Sequence, residues 1–141
     1  MRVGFTGTQD GMTMSQRVTL IKELLMVSTN GEFNHGDCIG ADAEAHIEAR
    51  ELGFFITKHP PKNTSKQAFC VVDKTLVPKD YIERNHDIVD ATEMLIATPK
   101  GMQEELRSGT WATVRYARKL HRPIIIIWPN GTTTKERLLT S

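Results

Sequence analysis

Two runs in the second half of the chain, Met94-Leu95-Ile96-Ala97-Thr98 and Ile124-Ile125-Ile126-Ile127-Trp128, are apolar without alternation. A strand with one solvated face alternates apolar and polar residues, so runs like these must bury both faces. That demands a parallel sheet with helices packed on each side. Pro99 and Pro129 stop the two runs, and the rest of the chain supplies the alternation of elements that such a sheet needs. Arg2-Val3-Gly4-Phe5-Thr6-Gly7 reads as a first strand. Met14, Val18, Ile21 and Leu25 then keep the three- and four-residue spacing of a helix face, with Thr13 or Ser15 as its cap. Asn30-Gly31 breaks that helix, and residues 32–36 form a second strand. Residues 41–52, free of Gly and Pro and followed by Gly53, read as a second helix before a third strand at 54–57.

Residues 62–79 are polar, lack a sustained period and read as a long loop. A short helix over 81–91 leads into the fourth strand at 94–98. A further helix starts near Ser108, with Trp111, Val114, Ala117 and Leu120 on one face, before the fifth strand at 123–128. Residues 132–141 are expected as a short helix or a frayed tail. The whole is expected to be a single α/β domain over 1–141, a Rossmann-like doubly wound parallel sheet of five strands in the order 3-2-1-4-5.

Composition narrows the function classes. With 141 residues, 39% hydrophobic and 25% charged, the chain is long enough for one core and too apolar for disorder. Eighteen Lys and Arg against 17 Asp and Glu leave a charge of +1, which gives no global field to recruit nucleic acid or an anionic membrane. No apolar stretch approaches the ~20 residues of a membrane span, and the start lacks a signal-peptide apolar region. The chain is expected in the cytoplasm, and its two cysteines, Cys38 and Cys70, are expected as thiols.

In a doubly wound sheet, ligands bind beyond the carboxyl ends of the strands where the strand order reverses. Four post-strand segments are therefore candidates. Gly7, Thr8 and Gln9 offer small residues and backbone amides, or serve close packing of the next helix. Gly36, Asp37, Gly40 and Asp42 frame a loop at a helix start. Asp42 suits a cap or dipole partner, and Asp37, with no evident structural task, suits ribose hydroxyls. Arg84 and Asn85 place a guanidinium beside an amide. Arg107, Ser108, Gly109 and Thr110 have the composition that phosphate wants at a helix start, with an ordinary Ser cap as the alternative. His35, Asp37, Cys38, His46 and His59 fit no tetrahedral metal spacing, so no metal and no cofactor is expected. Arg115, Arg118, Lys119, His121 and Arg122 give a basic helix end that complements the helix dipole rather than a phosphate track.

Arg2-Val3-Gly4-Phe5-Thr6-Gly7-Thr8, Gly36-Asp37-Cys38-Ile39-Gly40-Ala41-Asp42, Arg84-Asn85 and Ser108-Gly109-Thr110-Trp111-Ala112-Thr113 together resemble the SLOG superfamily. That superfamily joins the Smf/DprA proteins, the Lonely Guy phosphoribohydrolases and small stand-alone Rossmann-like proteins related to YspA and YpsA, and the stand-alone group is the most similar. The resemblance implies a pocket for a nucleotide or NAD-derived molecule, including cyclic ADP-ribose-type immune signals, with phosphate held before the helix at 108. A single-domain member would sense or sequester such a signal, in anti-phage defence or its inhibition. The superfamily's hydrolases carry Pro-Gly-Gly-x-Gly-Thr-x-x-Glu. Here Arg107-Ser108 replaces Pro-Gly, and Thr113, Val114 and Arg115 offer no glutamate.

Binding without catalysis is therefore the expected function. An N-glycoside hydrolase or deoxyribosyltransferase is the alternative if Glu83, Asp37 or Glu104 supplies the carboxylate. A DprA-like DNA-binding module is a third reading, and nucleic acid is not the expected partner. Helix surface around Trp111 and Tyr116 is expected to pair chains into a homodimer or higher oligomer.

Overall fold

The computed structural model describes residues 1–27 and 30–138. The chain runs β1 (Arg2–Gly7), α1 (Met14–Leu25), β2 (Glu32–His35), α2 (Ala41–Glu51) and β3 (Phe55–Lys58). A long connection containing β4 (Lys74–Thr75) precedes α3 (Tyr81–Asp90) and β5 (Met94–Thr98), followed by α4 (Gly109–Lys119), β6 (Ile124–Ile127) and β7 (Thr133–Glu136). Thr13, not Ser15, caps α1. Its hydroxyl accepts from the Gln16 amide at 3.0 Å, and the Gln16 side chain accepts from the Thr13 amide at 3.0 Å, closing two of the donors that a helix start leaves open.

The sheet has seven strands, not five, in the order β4-β3-β2-β1-β5-β6-β7. All pairs are parallel except β6 with β7. Both extra strands lie at edges. β4 sits inside the segment expected as a loop, where Lys74 and Thr75 pair with Thr57 and Lys58; two exposed residues carry no readable period. β7 replaces the expected terminal helix or tail. Pro129-Asn130-Gly131 turns the chain back, with Gly131 at φ +85, a conformation that glycine adopts freely. The Trp128 indole N–H then donates to Thr134 Oγ1 at 2.9 Å, and Arg118 donates to Glu136. Residues 139–141 of the expected tail lie outside the described residues.

The non-alternating runs divide between two cores. Met94, Ile96, Ile125 and Ile127 join Leu20 and Leu24 of α1 and Ala41, Ala45 and Ala49 of α2. Leu95, Ala97, Ile124 and Ile126 join Val89 of α3 and Trp111, Val114 and Ala117 of α4. Each successive residue of β5 and β6 thus enters the opposite layer, which is why neither strand alternates in polarity. Trp111 is 1% exposed, so it packs in the second core rather than forming a surface for pairing chains. Tyr116 stacks on His86, with ring centroids 3.8 Å apart, and its hydroxyl donates to Asp90.

Gln16 ties the start of α1 to the carboxyl ends of the sheet. Its buried Nε2 donates to the carbonyls of Pro99, at 2.8 Å, and Ile127, at 3.0 Å. Replacing Gln16 by Ala strands both carbonyls and removes the reciprocal cap. Urea unfolding is expected to show a loss of about 2–4 kcal/mol, read as a lower midpoint at unchanged slope.

Candidate functional site

β1 feeds α1 on one face of the sheet and its neighbour β5 feeds α4 on the other, so their carboxyl ends diverge and open a cleft of about 530 Å³. Gly7, Thr8, Gln9, Gly36, Asp42, Arg84, Asn85, Arg107, Ser108, Gly109 and Thr110 all line it. Their roles differ. Gly7 is a packing glycine, because a Cβ there would collide with Thr98 and Ala41. Thr8 organises the loop after β1. Its amide donates to Thr98 O at 3.1 Å, and its carbonyl accepts from the amides of Gly11 and Ala41. Gly40 does not line the cleft. It sits at φ +84, and a side chain would strike the Gln9 carbonyl, so it allows the first and second post-strand loops to touch.

At the other wall, Ser108 Oγ accepts from the Trp111 amide at 3.2 Å and caps α4. The Gly109 and Thr110 amides donate to nothing among the described residues, and a Cβ on Gly109 would meet nothing within 4 Å. An open helix start of this kind attracts anions through its free N–H groups and the helix dipole.

Arg84, 5% exposed, lies between these walls. Its Nη1 donates to the carbonyls of Gly36, at 2.6 Å, and His59, at 3.2 Å; Nε donates to Asn85 Oδ1 at 2.7 Å, and Nη2 approaches Cys38 Sγ at 3.7 Å. No carboxylate among the described residues comes within ion-pair distance of it. Asp42 lies deeper than its cap role required. One of its oxygens, Oδ2, accepts from the amides of Gly36, at 3.2 Å, and Cys38, at 3.1 Å. Burial pushes its carboxyl up to about 6, against the pull of those amides and of Arg84.

Asp37 does have a structural task, which corrects its assignment to ribose hydroxyls. It is fully buried, does not line the cleft and sits at φ +56. Its carboxylate accepts from the Cys70 amide at 2.8 Å and from Gln67 at 2.9 Å, and pairs with Lys58 at 3.2 Å. Burial works to raise its pKa, but these contacts more than offset that and leave the carboxyl below its usual range. The residue thus clips the 62–79 connection to the end of β2. The other proposed catalytic carboxylates also lie elsewhere. Glu83 is exposed outside the cleft, and Glu104 pairs with Arg115 and Arg118. Those two arginines, part of the basic helix end, are thereby engaged within the chain.

The sequence reading missed Asp10, Tyr81, Lys100 and Glu105, which also line the cleft. Lys100 directly follows the proline that ends β5, so the rule that selected the other loops also pointed to it. A grouping of His35, His46 and Cys70 was missed as well; their donor atoms lie within 4.8 Å of one another. His35 Nδ1 accepts from the Asp37 amide at 2.9 Å, so its proton sits on Nε2, which faces His46 Nδ1 at 3.2 Å. A metal on that Nε2 would need a doubly deprotonated ring, and the group fits a neutral hydrogen-bonded cluster instead. Burial, with His46 adding to it, lowers His35 to about 3, and burial lowers His59 to about 4. Burial and then Asp37 push the Cys70 thiol up to about 12.

No protein-family model matches the chain, and no curated protein matches it in sequence. Solved structures do match. The molybdenum cofactor binding protein from the phototrophic bacterium Rippkaea orientalis aligns with a TM-score of 0.69 at 20% identity, covering 90% of this chain and 76% of that one. The Moco carrier protein from Chlamydomonas reinhardtii aligns with a TM-score of 0.61 at 22% identity, over 89% of this chain and 74% of that one. DNA processing protein A from Helicobacter pylori, solved for its single-stranded DNA binding mode, aligns with a TM-score of 0.63 at 19% identity; the match covers 89% of this chain and 64% of that one. The shared feature at these identities is the fold, a Rossmann-like α/β fold. No helix among the described residues is long and apolar enough to cross a membrane.

The buried neutral histidines set a pH dependence. Unfolded histidine takes up a proton near 6.5, whereas His35 and His59 resist it down to about 3 and about 4, so their contribution is present above pH 6.5 and lost on acidification. Asp42 acts in the opposite direction, because its raised pKa favours the folded state at acid pH, but its shift is smaller than the two histidine shifts together. The urea midpoint is expected to fall from pH 7 to pH 4.5, and to fall less steeply in His59→Gln.

Proposed function

We propose that the cleft binds a phosphorylated, nucleotide-type small molecule and holds it without cleaving it. One observation carries the reading. The open amino end of α4 and a buried guanidinium with no carboxylate in ion-pair range among the described residues line the same cavity of about 530 Å³, a volume within the usual range for small-molecule sites. Phosphate belongs against the Gly109 and Thr110 amides, with Ser108, Arg107 and Lys100 beside it; the rest of the ligand extends toward Arg84 and Asn85. Solved neighbours that bind or carry the molybdenum cofactor support a small-molecule ligand in this fold. NAD-derived signals such as cyclic ADP-ribose isomers belong to the same ligand class and are candidates for sensing or sequestration.

Binding is favoured over glycoside cleavage because Glu83, Asp37 and Glu104 all lie outside the cleft. The carboxylates inside it are Asp10, Asp42 and Glu105, and one oxygen of Asp42 is already committed to two backbone amides.

Two measurements test this. Gly109→Val places a side chain where the protein itself leaves space, so the fold is expected to survive while affinity for nucleoside monophosphates drops at least tenfold by calorimetry. Incubation of the wild-type protein with nucleoside monophosphates, NAD and cyclic ADP-ribose isomers is expected to return every ligand intact. Release of free base or pentose phosphate, lost in Glu105→Gln or Asp42→Asn, would replace binding by hydrolysis.

A further inference from the structure

The inner end of the cleft carries a hydrogen-bonding pattern more specific than a general nucleotide site. Asp42 is 6% exposed. Its Oδ2 is held by the Gly36 and Cys38 amides, while Oδ1 accepts from nothing among the described residues although the side chain lines the cleft. Asn85 is oriented in the same way. Arg84 Nε donates to its Oδ1 at 2.7 Å, which engages the acceptor half of the amide and leaves Nδ2 as the donor that this cleft-lining residue has to offer. Arg84 itself retains one Nη2–H after its bonds to Gly36 O, His59 O and Cys38 Sγ. A carboxylate acceptor, an amide donor and a guanidinium donor, each held by bonds within the chain, therefore belong to residues that line one cleft.

We propose, resting on the nucleotide-type reading above, that this end recognises a 2-amino-4-oxo pyrimidine ring edge, the edge shared by guanine and pterins. In that edge the ring N–H and the exocyclic amine donate, matching Asp42 Oδ1, and the oxo group accepts, matching Asn85 Nδ2 and Arg84. Adenine presents the reverse arrangement. Its ring N1 would face a carboxylate and its amine would face donors, leaving buried groups unpaired, and pairing failures of this kind give large discrimination. Asparagine commonly reads adenine with both halves of its amide, and the Arg84 bond blocks that use of Asn85. Tyr81, with the Arg84 guanidinium carbon 5.4 Å from its ring centroid, lines the same cleft and supplies apolar surface for a heterocycle.

The anchoring of Asp42 also dictates what its replacement does. In Asp42→Asn, the Gly36 and Cys38 amides need an acceptor, so the new side chain must turn its oxygen to them and its NH₂ to the cleft. That donor then meets the ring N–H and the amine of the guanine edge, which are donors themselves, and the pairing is lost.

Calorimetry at pH 7.5 with GMP, AMP and 6-hydroxymethylpterin tests the assignment. The wild-type protein is expected to bind GMP at least tenfold more tightly than AMP. Asp42→Asn, with its fold checked by circular dichroism, is expected to lose at least tenfold toward GMP. AMP or ADP-ribose binding as tightly as GMP would overturn the assignment and leave the nucleotide reading standing. Binding of the pterin without GMP would support the edge and overturn the nucleotide reading. Binding of none of them would overturn both, and a folded Asp42→Asn that keeps its GMP affinity would overturn the role of Asp42. Should that variant not fold, the wild-type ratio of GMP to AMP decides alone.

Discussion

The Arg84 guanidinium is the contact on which the geometry of the site depends. It reaches from α3 to the carbonyls that end β2 and β3 and orients Asn85 beside it. A buried cation is costly to desolvate, and here carbonyl dipoles and the Coulomb field of Asp42, rather than a contacting carboxylate, offset that cost. The arrangement also explains Gly36, where a Cβ would sit 2.6 Å from Nη1. Fold and cleft thus share one side chain, and no carboxylate among the described residues meets it at ion-pair distance.

Behind that guanidinium lies a second layer of polar groups that holds the long connection to the sheet. Asp37 takes the Cys70 amide, Gln67 and Lys58, while its own carbonyl accepts from Ala68 at 2.7 Å and the Ile39 amide donates to Lys66 O at 2.9 Å. The connection buries little of its apolar surface; Phe69, Val71 and Val77 remain exposed, and Val72 is partly buried against the first core. Its position therefore rests largely on hydrogen bonds, to the end of β2 and, through Asp73 and β4, to β3. This fixes the wall on which Asp42 and Cys38 stand, because both follow directly from the same turn.

The cleft and the two cores answer to separate demands. Alternating residues of β5 and β6 feed opposite layers, and helices on both faces follow from that requirement alone. The divergence of β1 and β5 into helices on opposite faces then opens a crevice whatever lines it. What gives this one its chemistry is the set of small residues at its rim. Gly7 is small for packing and Gly109 faces open space, while Gly40, outside the cleft, lets two of its loops touch. Glycines with different tasks look alike in sequence, since each is defined by what lies across from it.

The sequence by itself determined the parallel core and the loops that meet at the cleft, because unalternated apolar runs, helix periods and glycine stops are local signals. It identified Gly7, Thr8, Gln9, Gly36, Asp42, Arg84, Asn85 and residues 107–110 by their place after strands, and these converge in the structure. Only the tertiary structure decided the roles. Asp37 and Asp42 are five residues apart in similar surroundings, yet one is consumed by partners 21 to 33 residues away and the other keeps an oxygen for the cleft. β4 and β7 likewise owe their pairing to a neighbouring strand edge rather than to any period of their own. Long-range hydrogen bonds select among chemically equivalent side chains, and no local pattern records which one they will take.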